Sequence, residues 1–116
     1  MAHGSRRTSS NEEVRRLTEK MTSEAQGHFD AVRCAFLELA EPSIPDGLRT
    51  LIKDGFSDII VVPYFLSAGR HVAEDIPGEV AIITADYPDV MIRIAPYLGM
   101  AQGVTRLLLD QAARNS

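Results

Sequence analysis

The stretch SDIIVVPYFL, Ser57 to Leu66, decides the fold. Four β-branched residues in a row, Ile59 to Val62, stand between a polar start and Pro63. A run without polar alternation predicts a parallel strand buried on both faces. Parallel strands need crossover connections, which are usually helices. Downstream, Ser67-Ala68-Gly69-Arg70-His71 reads as a small-residue loop, and 72–86 as a helix that Pro77-Gly78 should distort or restart. Val90 to Ala95 gives another strand, ended by Pro96. From Met100 to Arg114 the pattern is helical, with Val104, Leu107 and Leu108 on a buried stripe.

Upstream the same alternation holds. Ser10 and Glu13 have capping-box spacing, which predicts a helix over 11–26 with Val14, Leu17 and Met21 on one face and Gly27 as its stop. Asp30 to Leu39 reads as a strand with Val32, Cys34 and Phe36 on one face. Pro45 suits the first turn of a helix carrying Leu48, Leu51 and Ile52, and Gly55 suits its end. Helices alternating with strands predict an α/β domain with a parallel sheet flanked by helices.

The bulk numbers narrow the class. A chain of 116 residues argues for one domain, 1–116. A net charge of −4 leaves no basic footprint for nucleic acid. The apolar runs are too short to span a bilayer, and no apolar signal region opens the chain. Cys34 is the one cysteine, so no internal disulfide can form; it reads as a buried inert thiol, in keeping with a cytoplasmic protein.

Chemistry concentrates in two loops. Ligands of open parallel sheets bind at the carboxyl ends of the strands. His3-Gly4-Ser5-Arg6 has the character of a loop that follows a strand, and Ser67 to His71 follows the strand quoted above. If the two strands are neighbours, His3 and His71 converge. Neutral imidazole suits Co²⁺, Ni²⁺ or Fe²⁺, and it can take a proton near neutral pH. Arg6, Arg7 and Arg70 add positive charge to the same rim, which suits a polycarboxylate ligand. His28 falls at the opposite end of the sheet and reads as a solvated turn residue. Ser5 lacks the elbow and the paired acid of a nucleophile.

Four segments occur here in one order: HGSR (3–6), FLELAEPSIPDGL (36–48), VVPYFLSAGRHVAEDIP (61–77) and APYLG (95–99). Together they resemble the short form of the sirohydrochlorin cobaltochelatase family, the small CbiX-like class II chelatases. The resemblance covers essentially the whole chain. It implies a chelatase-like three-layer sandwich, a four-stranded parallel sheet flanked by helices. It implies insertion of a divalent metal, Co²⁺ or else Fe²⁺ or Ni²⁺, into sirohydrochlorin without ATP or an organic cofactor, in a homodimer. Residue by residue, His3 matches a metal-binding histidine that also accepts pyrrole protons, and His71 matches the second metal-binding histidine. Leu66, Ser67, Ala68, Gly69 and Arg70 match the loop that lies against the macrocycle. Glu41 matches a residue placed near the substrate, and Glu38 stands second to it.

Family members carry an apolar strand ahead of the histidine loop, so the sequence predicts a sheet whose usual first strand is missing or truncated at the N-terminus. A non-catalytic metal- or tetrapyrrole-binding protein is the competing reading. A small phosphate-binding module would need a glycine-rich phosphate loop or an acidic cluster, and the sequence has neither.

Overall fold

The computed structural model describes residues 1–67 and 69–115, with the backbone alone of His71. The chain forms helices α1 (Thr8–Glu24) and α2 (Ile44–Lys53), strand β1 (Asp58–Val61), a π-helical turn (His71–Asp75), helix α3 (Ile76–Asp86), strand β2 (Met91–Ile94), a 3-10 turn (Leu98–Met100) and helix α4 (Gly103–Arg114). The architecture is α/β, a small parallel sheet flanked by helices. β1 and β2 pair in parallel with Ile59 beside Ile92 and Val61 beside Ile94. None of the described helices is long and apolar enough to cross a membrane.

Residues 1–3 take an inner place in this sheet. The Met1 nitrogen donates to the Val62 carbonyl and the Tyr64 N–H donates to the Met1 carbonyl, each at 2.7 Å. On the other side the Ala2 N–H donates to Ala35 O (3.0 Å) and the Leu37 N–H to Ala2 O (2.9 Å). The order across the sheet is therefore 35–38, 1–3, β1, β2. His3 stands where a strand ends, as the sequence predicts.

The strand expected over 30–39 is reduced to bridges at Phe36, with Ala2 and with Ser43. A strand needs a ladder, and the neighbouring segment runs beside residues 35–38 only. The sheet is accordingly smaller than the four full strands expected.

The core lies on one face. Ile59 and Val61 meet Ile44 and Leu48 of α2 and Ile76, Val80 and Ile83 of α3. β1 alternates, so the expectation of burial on both faces fails: Ile60 and Val62 are exposed on the far side. α4 packs against the 98–100 turn, not against that far face. Its stripe is thus not buried; Leu107 and Leu108 are exposed and Val104 half-buried.

Local chemistry explains the element ends. Ser43 caps α2, its side chain accepting from the Asp46 N–H, and Pro45 fits the first turn. Gly55 follows α2 at φ +99°, a conformation that favours glycine. Pro77 restarts the helix after residue 75, because its ring cannot join an uninterrupted helical ladder. α1 begins at Thr8, and the capping box at Ser10 does not form. Cys34 is half-buried, less enclosed than expected.

Candidate functional site

His3 is held by backbone on both sides. Its carbonyl accepts from the Glu38 N–H at 3.0 Å, which ties the two loops together at their roots. Gly4 follows at φ +94°, and a Cβ there would overlap the Glu38 carbonyl oxygen and sit 2.9 Å from its carbon. Glycine is required here twice, for the dihedral and for the close approach. What this glycine admits is the Glu38 backbone.

That approach brings the side chains together. His3 Nε2 lies 2.9 Å from Glu38 Oε1. The imidazole also stands edge-on to Phe65, ring centroids 6.4 Å apart at 80°. The two side chains remain 37% and 54% exposed, so the pair faces solvent while its backbone is fixed. The turn that presents Glu38 places Leu39 at φ +65°, a left-handed conformation that non-glycine residues adopt at a cost of about 1–2 kcal/mol.

Of the two carboxylates read from the sequence, the structure joins Glu38 to His3. Glu41 contributes its backbone, the carbonyl accepting from Arg15 Nη2 at 3.0 Å. The difference follows from chain direction. Glu38 is level with His3 in the ladder, whereas Glu41 lies three residues farther along a turn that doubles back to Ser43.

The second loop leaves the sheet beside the first. Leu66, Ser67, Gly69 and Arg70 are exposed, and Arg70 Nε stands 3.9 Å from Glu74 Oε2. The loop is seated on the 97–100 segment, where the Gly99 N–H donates to Phe65 O (2.9 Å) and a Cβ on Gly99 would overlap Leu66 O. Ala68 and the His71 side chain, both assigned roles from the sequence, lie outside the described residues. The His71 backbone opens the π-helical turn that follows this loop.

A cavity of about 370 Å³ opens beside Glu38. Leu37 and Ile82 give it an apolar wall, and Glu38, Glu74, Asp75 and Glu79 surround it with carboxylates. Arg6, Arg7 and Arg70 are exposed, and Arg70 pairs with Glu74 of the cavity wall. Among the described residues, no three His, Cys, Asp or Glu side chains converge to hold a metal ion. His3 with Glu38 is a two-ligand arrangement, which leaves coordination positions for water or for an incoming ligand. It can bind a late divalent cation and can accept a proton.

Two residues escaped the sequence reading. Asn11 is buried on α1 with its side chain on the Ser5 backbone. Arg15, one turn later, lies over the Phe36 ring at 5.2 Å. Helical spacing of 11 and 15 was legible; that this face is polar and still inward-facing was not.

Comparison with known proteins gives a consistent result. The family model described as CbiX matches residues 1–115. The chain is 38% identical over 108 residues to a chloroplastic sirohydrochlorin ferrochelatase of Arabidopsis thaliana, covering 93% of this chain and 45% of that protein. It is 35% identical over 86 residues to a sirohydrochlorin cobaltochelatase of Methanococcus aeolicus, covering 74% of this chain and 59% of the relative. The chain thus spans about half the length of these curated relatives. Among solved structures it is similar to the sirohydrochlorin chelatase SirB of Bacillus subtilis subspecies spizizenii, in complex with cobalt. The TM-score is 0.85 at 29% identity, over 97% of this chain and 47% of that one.

Proposed function

Since the chain belongs to the CbiX family, we propose that it is a sirohydrochlorin chelatase, inserting a divalent metal ion into the macrocycle without ATP. The observation that carries the reading is the His3–Glu38 pair, 2.9 Å apart at the carboxyl end of the sheet, with the His3 ring against Phe65, next to the exposed Leu66 and Ser67. The names of the relatives include both a ferrochelatase and a cobaltochelatase; we favour Co²⁺, with Fe²⁺ and Ni²⁺ as alternatives.

The chemistry asks for two things. The ion must lose water, and two pyrrole N–H protons must leave as it enters. His3, with Glu38 and the second histidine His71, holds the ion while leaving positions open, so that pyrrole nitrogens replace water one at a time. As the ion passes to the macrocycle, the freed imidazole takes a proton, and Glu38 stabilises the imidazolium that results. The remaining proton leaves through the carboxylates of the cavity.

Charge separates the two substrates. The acidic cavity attracts the cation and repels a polycarboxylate macrocycle. The macrocycle therefore lies outside the cavity, over Leu66, Ser67, Ala68 and Gly69, with its carboxylates toward Arg70, Arg6 and Arg7. Glu41, at the edge of this site, borders the substrate.

The exposed Leu107, Leu108 and Leu109 of α4 and the bare far face with Ile60 and Val62 support a homodimer. The same reading sets the protein in the cytoplasm. The test is absorbance-monitored, anaerobic metallation of sirohydrochlorin with Co²⁺, Ni²⁺ and Fe²⁺ in parallel. Turnover is expected with at least Co²⁺, and no spectral change with any metal overturns the reading.

A further inference from the structure

Asn11 is the buried polar residue among the described ones, 8% exposed. A buried amide is costly unless its donor and acceptor are both used. Here both are used on one residue. The Ser5 N–H donates to Asn11 Oδ1 at 3.0 Å, and Asn11 Nδ2 donates to the Ser5 carbonyl at 2.8 Å. The partners fix the amide orientation, since a backbone N–H can only donate and a carbonyl only accept.

This is not helix capping. An asparagine cap stands before the helix and accepts from its first turn. Asn11 stands inside α1 and reaches back to a residue ahead of it, while the α1 cap residue, Arg7, makes no side-chain cap bond. Asparagine is a poor helix former, so propensity gives no reason for it at this position. What the pair of bonds holds is the His3–Arg7 loop. The loop has one anchor at Gly4, pressed on the Glu38 backbone, and Asn11 supplies the second one residue later. Between them, these anchors leave His3 little freedom to leave Glu38.

We propose that Asn11 is a positioning residue of the site: by gripping Ser5 at both backbone polar groups, it sets where the His3 imidazole stands against Glu38. The consequence for rate rests on the chelatase reading; the grip itself does not. Removing a partner that orients a ligating histidine costs about 10–100-fold in metal affinity or activity. Asn11→Ala is expected to lose that much in kcat for Co²⁺ insertion.

Asn11→Asp separates positioning from packing. Its carboxylate still accepts from the Ser5 N–H but sets a second oxygen against the Ser5 carbonyl. Protonation restores a donor, and burial raises a carboxyl pKa. The Asn11→Asp rate, divided by the wild-type rate at each pH, is expected to rise as pH falls from about 7.5 to about 5, whereas the Asn11→Ala ratio stays low and flat. A folded Asn11→Ala protein with the wild-type rate, or a pH-independent Asn11→Asp ratio, overturns the proposal. Amide NMR of metal-free protein judges the grip without turnover. The Ser5 N–H signal is expected to shift strongly in Asn11→Ala, and an unmoved signal overturns the grip. A wild-type protein that metallates nothing overturns the chelatase reading instead, and leaves this NMR result standing.

Discussion

Gly4→Ala tests the joint on which the site is built. Two costs combine. At φ +94° an alanine is strained by about 1–2 kcal/mol. Its Cβ would also overlap the Glu38 carbonyl, so one backbone must retreat by more than about 1 Å to reach van der Waals separation. The retreat loosens the bond from the Glu38 N–H to His3 O, a net loss of about 1 kcal/mol. The sum is about 2–3 kcal/mol. At about 4–8 °C per kcal/mol for a domain near this size, Tm should fall by roughly 10–20 °C. A misplacement of about 1 Å can cost about 100-fold in rate, so metal insertion should drop by that order even where the variant is folded. Thermal unfolding followed by circular dichroism, with Co²⁺ insertion followed by absorbance well below the transition, measures both. Gly103→Ala is the control, since nothing lies within 4 Å of its Cβ position and it is not among the residues that line the cavity. A Gly4→Ala protein that melts with the control and keeps the wild-type rate refutes the close approach of the two loops.

Other outcomes follow from the same geometry. His3→Ala and Glu38→Gln should each nearly abolish insertion yet change stability by no more than about 1 kcal/mol, because the pair is exposed and surface pairs contribute little; urea unfolding and the insertion assay separate the two effects. Gly99→Ala should displace the 66–70 loop, since its Cβ would overlap Leu66 O, and raise KM for the macrocycle; Gly69→Ala, with open space at its Cβ, should keep wild-type stability and raise KM only if the macrocycle lies on that glycine. Dialysis against EDTA should leave Tm unchanged, because the proposed reaction takes the metal as a substrate and not as a staple; a large fall would reveal a structural ion.

The sequence was most legible where burial dictates pattern. Ile59 and Val61 are core residues because a β-branched run packs well against the apolar stripes of α2 and α3. The same run misled about Ile60 and Val62, since periodicity reports what could be buried and not whether a neighbour covers it. Leu107 and Leu108 fail for the same reason. In the site, the place of His3 at a strand end was legible because the Gly-Ser-Arg that follows it has the character of a loop. The choice between Glu38 and Glu41 was not, because it depends on ladder register, and a shift of a few residues along a turn moves a carboxylate out of reach. Asn11 was hidden more deeply. Its spacing resembles a capping signal around Ser10, and only coordinates show that it reaches back to Ser5.

α1 poses the last question, since it is the longest helix and its one buried residue is polar. Core formation does not explain its place. Besides a long bond from Thr22 Oγ1 to Val32 O, its contacts are Asn11 on Ser5 and, one turn later, Arg15, which stacks on Phe36 and donates to the Glu41 carbonyl. Residues four apart share a helix face. One face of α1 therefore grips both loops of the site, the one that carries His3 and the one that carries Glu38. The stacking and the carbonyl bond are each worth about 1 kcal/mol. If α1 serves the site more than the core, Arg15→Met should lower stability by only about 1–2 kcal/mol while lowering insertion more than its stability loss explains. A double variant with Asn11→Ala should then cost less than the two singles combined, because either change already frees the pair. Additive losses in rate would mean that the two grips act separately, and that the helix is not the common support of the pair.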